Sequence, residues 1–255
     1  MKEGMKKYYG ATFLIGLGFF TMGLMDPLYD TYIPIFLSRF VESKGLIGTI
    51  MTLDNVFALF LIPVVAAMSD RTHTKIGRRM PYIIVTLPLS GVLFGLIPFS
   101  ALWGLTSLII AIFILNIFKQ AGRGPVVALM PDTIPGEYRS EANGVINTMA
   151  GIAAIVGTVV LAKLMDVKIN LPGRGPTDEI LAFPIAGGLV IIATLILFIF
   201  IKEKHRAEDT EEKVKIKESI QLIFSSEDKS AFLILISLFL WFLGYQGILP
   251  FIGLY

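Results

Sequence analysis

The sequence predicts an all-α membrane protein, with six complete transmembrane helices and the start of a seventh, and three observations carry that prediction. Of 255 residues, 55% are hydrophobic and only 16% charged, with a mean hydropathy of +0.74. A soluble domain needs roughly 25% charged residues to keep its surface wetted. The apolar residues come in blocks close to the ~20 residues that span a bilayer core, a length soluble core helices seldom reach repeatedly. Lysine and arginine, finally, are distributed so unevenly between the connections that one orientation is set.

The blocks lie at 9–38, 46–69, 81–99, 103–130, 140–165, 179–201 and 230–255. The start, Met1-Lys2-Glu3-Gly4-Met5-Lys6-Lys7, has the basic character of a signal peptide. The apolar block next to it is too long for one and carries Asp26 and Asp30 before any small-residue cleavage site, so it is read as the first span. With the N-terminus cytoplasmic, one side of the membrane holds fifteen basic residues: Lys2, Lys6, Lys7, Arg71, Lys75, Arg78, Arg79, Arg139 and seven between Lys202 and Lys229. The other side holds five, Arg39, Lys44, Lys163, Lys168 and Arg174. The positive-inside rule therefore places the N-terminus in the cytoplasm of a multi-pass protein of the cytoplasmic membrane.

The chain divides into three regions: a six-helix bundle over 1–201, a charged linker over 202–229, and the start of a second bundle over 230–255. The linker mixes Lys with Glu203, Glu208, Glu211, Glu212 and Glu218, which suits either an amphipathic helix along the membrane or a plain solvated connection. The seventh block is still apolar at Tyr255, so the bundle it begins is expected to be completed by a C-terminal half or by a second copy.

Composition also excludes chemistry. There is no cysteine, hence no disulfide, thiolate metal site or cysteine nucleophile. His73 and His205 stand far apart in polar connections, and no P-loop, zinc-binding His pair or Gly-x-Ser-x-Gly elbow is present. No cofactor, metal or enzymatic activity is expected. A net charge of +2 gives no electrostatic footprint for nucleic acid, and none is expected as a partner.

Five ionisable residues fall inside predicted spans: Asp26, Asp30, Asp54, Lys119 and Arg123. At mid-membrane each costs about 2.5–3.5 kcal/mol, so unpaired they would together cost roughly 12–18 kcal/mol, more than a typical domain's stability. They must face protein or water and compensate one another. Positions three and four apart share a helix face, so Asp26, Tyr29 and Asp30 form one stripe on the first span. Asn116, Lys119, Gln120 and Arg123 form another on the fourth. The acidic and basic stripes are natural partners across a polar path, with Lys119 and Arg123 balancing Asp26 and Asp30. Asp54 reads equally as a proton site or as a hydrogen-bonding partner. Pro27 and Pro34 are expected to break the first span beside that path. A purely structural alternative, in which the ion pairs only set helix register, applies to any one of these residues more readily than to all five.

The connection after the second span reads Ser69-Asp70-Arg71-Thr72-His73-Thr74-Lys75-Ile76-Gly77-Arg78-Arg79-Met80-Pro81-Tyr82. It resembles the cytoplasmic loop motif of the major facilitator superfamily, an acid–Arg pair followed by Gly-Arg-Arg. The four residues Thr72 to Lys75 and the Pro-Tyr after the motif are similar to those of glycoside–cation and sucrose–proton symporters. So are Arg123-Gly124-Pro125, Met130-Pro131-Asp132, Arg139 and Ala142-Asn143-Gly144. The resemblance covers the whole chain as the N-terminal half of such a fold, the layout in which each half is a six-helix repeat. It implies a conformational latch built from Asp70, Arg71, Gly77, Arg78 and Arg79, with Asp70 paired to Arg78, Arg79 or the facing bundle. A basic loop serving only as a topology signal would not need Asp70, Gly77 or Pro81.

Melibiose-type sodium symporters carry two acids, four apart, before a proline in the second span. Here those positions before Pro63 are Ala58 and Ile62. With Asp26, Asp30 and Asp54 retained, a proton becomes the expected coupling ion. The fifth span lacks the Gly-Pro signature of drug–proton antiporters, which favours symport. The expected function is proton-coupled symport of a small polar, sugar-like solute, because hydroxyl-rich ligands take several charge-assisted hydrogen bonds. Trp103 suits an interfacial anchor better than a sugar-stacking ring. The alternatives are a lipid or lysolipid flippase of the same superfamily and a non-transporting half-unit acting as sensor or assembly partner.

Overall fold

The computed structural model describes residues 3–171, 175–201, 203, 225 and 229–252. It forms two compact units, Met1–His205 and Arg206–Tyr255. The linker expected at 202–229 lies outside the described residues except for Glu203, Ser225 and Lys229, as do Lys2, Arg174 and the end of the seventh block at 253–255. In the second unit, α7 (Ser230–Ile252) is an apolar helix on which Trp241 stacks against Tyr245 with ring centroids 5.4 Å apart.

The first unit holds α1 (Tyr9–Ser38), α2 (Lys44–Arg71), α3 (Met80–Trp103), α4 (Leu105–Thr133), α5 (Arg139–Ile155) and α6 (Ala182–Phe200). All six, α5 taken with its flanking turns, are long and apolar enough to cross a membrane. This is the all-α membrane fold that the sequence predicts.

α1 is the centre of the bundle, packing most extensively on α5 and then on α6 and α4. It does not break at Pro27 or Pro34, contrary to the sequence expectation. A proline removes one helical hydrogen bond, but here Leu24, Met25, Leu28, Tyr29 and Ile33 are all buried around the two rings. Packing of these side chains against the neighbouring helices holds the helix through the defects. α4 likewise runs through Pro125 and Pro131 to Thr133, three residues past the predicted limit. Its last carbonyls are taken by Arg139, whose guanidinium donates to Pro131 O at 2.9 Å and to Ile134 O at 3.2 Å. A cation there also complements the negative end of the helix.

Trp103 is the last residue of α3 rather than the first of α4, and it is exposed, with Gly104 alone separating the two helices. Phe183 at the start of α6 seats that helix against α1 and α3, 5.5 Å from Phe36 and 4.7 Å from Phe94. α5 changes its winding, passing from α to a π-helical stretch at Val156–Leu161 and a 3-10 stretch at Ala162–Asp166. A two-stranded antiparallel ribbon comes next, β1 (Ile169–Leu171) against β2 (Gly175–Thr177), which hydropathy alone does not predict. α2 is the most peripheral helix, burying only Ile47, Met51 and Ser69.

Candidate functional site

α1, α2 and α4 bring seven of the eight candidate binding residues into one bonded cluster partway along the bundle. Lys119 of α4 is its hub. It is only 4% exposed, and its Nζ lies 3.3 Å from Asp26 Oδ1 and 3.1 Å from Asp54 Oδ2. The same ammonium sits 4.2 Å above the centre of the Tyr29 ring, whose negative face attracts a desolvated cation. Arg123, one turn further along α4, reaches the other oxygen of Asp26 at 3.7 Å. Asn116 Nδ2 donates to Tyr29 Oη at 2.8 Å, and Gln120 Nε2 donates to Asp54 Oδ1.

Asp54 reaches this cluster on a helix, α2, whose backbone comes close to that of α4. A Cβ added at Gly124 would lie 2.9 Å from Ile62 O, so only glycine permits that approach. The sequence expectation has Lys119 and Arg123 balance Asp26 and Asp30: both cations contact Asp26 and act on Asp30 only through space, and Lys119 adds Asp54. Asp30, half-buried, makes no ion pair or hydrogen bond among the described residues. Two further acceptors are idle: Asn116 Oδ1 and Gln120 Oε1 are buried and have no hydrogen-bond partner among the described residues. What the cluster lacks is donors. All three groups can accept a hydrogen bond from a hydroxyl or a water, and the carboxylate of Asp30 alone can take up a proton.

A second charged cluster lies where α2 ends and α3 begins. Arg79 is 6% exposed and fully engaged: its Nη2 pairs with Asp70, its Nε with Asp132 Oδ2 at 2.8 Å, and its Nη1 donates to Ser69 Oγ at 2.5 Å and Ala66 O at 3.1 Å. Arg78 Nη2 holds the other oxygen of Asp132 at 2.9 Å. Glu203, beyond the end of α6, accepts from the backbone N–H groups of Arg79 and Met80. Gly77 has φ of 112°, a left-handed value that an L side chain rarely adopts. The side chain of Arg71 is exposed and has no ion pair among the described residues, so it stands apart from the other four expected latch residues. No group of three or more His, Asp or Glu side chains among the described residues is placed to hold a metal ion.

The Major Facilitator Superfamily model matches residues 10–255. The chain belongs to this superfamily. No curated protein matches it. Membership makes it a multi-pass membrane protein and, in general terms, a secondary transporter. Members carry small solutes across the membrane and are generally not enzymes.

Within this superfamily member, sequence reasoning passes over Asp132, Glu203 and Ser69 as site residues. Asp132 carries a signal in retrospect, an acid in the last turn of an apolar helix, where a negative charge opposes the helix dipole and needs a cation. Glu203 carries none, being one glutamate among many in a charged run. Ser69 is an ordinary small polar residue until Arg79 is placed over it.

Proposed function

We propose that this protein is a proton-coupled symporter of a sugar or glycoside in the cytoplasmic membrane, with its N-terminus inside. The observation that carries the reading is the cluster on α1, α2 and α4. Three carboxylates and two cations sit inside an apolar bundle, and the groups left over, Asp30 and two amide oxygens, all accept hydrogen. A polyol brings donors for the amide oxygens, and its own oxygens accept from the half-exposed guanidinium of Arg123. Asp30, which makes no direct ion pair among the described residues, is the carboxylate available to a proton. The apolar Ala58 and Ile62 stand where a pair of acids for sodium would precede Pro63 on α2.

In this mechanism the bundle rocks against a second one, which α7 begins. In this reading the cluster of Asp70, Arg78, Arg79 and Asp132, whose ion pairs are made, acts as the cytoplasmic latch. Opening it requires four donors of Arg79 to be released together, so the closed state is a discrete one.

The test is uptake of labelled glycosides by the complete protein in proteoliposomes, driven by an imposed pH gradient. Arg123→Ala is expected to abolish uptake while the protein still inserts and retains its helicity. Uptake at the parental rate would remove Arg123 from the site. Gradient-independent uptake that tracks sodium would replace the proton as the coupling ion.

A further inference from the structure

We propose that Glu203 is a positioning residue of the latch, fastening the chain that leaves α6 to the first turn of α3 and thereby setting the place of Arg79. The inference rests on reading the loop cluster as a latch, and it is independent of the solute. α3 opens without a capping side chain of its own: Arg79 occupies the N-cap position and makes no side-chain bond to the helix. Its guanidinium is committed instead to Asp70, Asp132, Ser69 and Ala66. A helix start leaves several N–H groups without partners, and serine, threonine, asparagine or aspartate ordinarily supplies the acceptor. Here Glu203 supplies it from 124 residues away, accepting from Arg79 N at 3.1 and 3.0 Å and, 123 residues away, from Met80 N at 3.2 Å. Pro81 comes next and has no N–H to offer.

Two further observations agree. The Glu203 side chain is only 3% exposed, although Lys202 and Lys204 flank it in a charged run. Such burial of a carboxylate requires donors, and the two amides provide them, with Arg78 Nε a more distant ion-pair partner at 4.0 Å. A Cβ at Gly77 would run into the Glu203 side chain. Gly77 therefore serves both its left-handed turn and the seat of Glu203. Together these contacts make the α6 exit, the loop and the start of α3 one mechanical unit. A displacement of the chain after α6 is passed through the Arg79 backbone to its guanidinium, which grips α2 through Asp70 and α4 through Asp132.

The experiment uses Ser69, which is fully buried beneath Arg79. In the complete protein Ser69→Cys places a thiol that a maleimide reaches only when Arg79 moves away, and this chain has no cysteine of its own. Glu203→Gln keeps the size and removes the charge. It is expected to raise the labelling rate of S69C about fivefold, which at tenfold per 1.4 kcal/mol corresponds to about 1 kcal/mol of latch opening. Ser90→Cys, equally buried on α3, should label no faster with Glu203→Gln. Asp70→Asn is the control for the latch itself. If Asp70→Asn accelerates labelling of S69C and Glu203→Gln does not, the role of Glu203 is wrong and the latch stands. If neither accelerates it, the latch reading fails and this proposal with it. Equal acceleration at S69C and S90C would mean general loosening, and would overturn the positioning role.

Discussion

Two clusters in one bundle hold the same formal charges and treat them differently. The mid-span cluster has Asp26, Asp30 and Asp54 against Lys119 and Arg123; the loop cluster has Asp70, Asp132 and Glu203 against Arg78 and Arg79. In the loop cluster every carboxylate is engaged, two of them by the forked guanidinium of one arginine and the third by backbone amides. In the mid-span cluster one ammonium is shared between two acids, the arginine stands off at 3.7 Å, and Asp30 and two amide oxygens are left over. A saturated network holds a shape, because any movement exposes several unmade bonds at once. An unsaturated one keeps valence for something that comes and goes. The choice of cation obeys the same division, since a planar fork fixes geometry whereas an ammonium is a point charge that several acids can share.

Breaking the hub of the mid-span cluster should have the largest effect. Lys119→Met leaves Asp26 and Asp54 without their shared cation and is expected to cost about 3–5 kcal/mol, the usual penalty for removing one member of a buried pair. Thermal melting in detergent reads it, and uptake should be lost. Adding Asp26→Asn and Asp54→Asn should return the melting temperature but not uptake. A stable, active single variant would show that the cluster is not organised around Lys119. In the loop cluster, Gly77→Ala both demands a left-handed residue and displaces Glu203, with an expected cost of about 1–3 kcal/mol. Its melting temperature should fall even though residue 77 lies outside the ion pairs; an unchanged value would mean that the loop has room to shift. The smallest effect on stability belongs to Asp30→Asn, which removes a charge that has no ion-pair partner among the described residues, and should stay within about 0.5 kcal/mol. Its effect on function should be specific: accumulation driven by a pH gradient is lost while solute exchange continues. Loss of both activities would make Asp30 a solute ligand instead.

Much of the mid-span cluster is legible in the sequence, and for a definite reason. Helical periodicity relates residues three and four apart, so the stripes Asp26–Tyr29–Asp30 and Asn116–Lys119–Gln120–Arg123 are visible without coordinates. The depth and rotation of one helix against another are not written in that period. The periodicity therefore does not say which pairs touch: Lys119 and Arg123 both contact Asp26, they act on Asp30 only through space, and Lys119 also takes Asp54. Glu203 shows the same limit more sharply, because no pattern relates it to an amide 124 residues earlier.

By itself, then, the sequence determined that this is a helical membrane protein, with six helices among the described residues long and apolar enough to cross a membrane, and that its inward charges lie on particular helix faces. Both are consequences of local periodicity and of the cost of putting a polar group in hydrocarbon. Tertiary structure alone decided which acid meets which base, that α1 continues through two prolines, and that α3 is capped from the far end of the bundle's sequence. Those outcomes depend on how closely two backbones approach and at what height, as at Gly124 against Ile62, which is a property of the packed bundle and of no single helix.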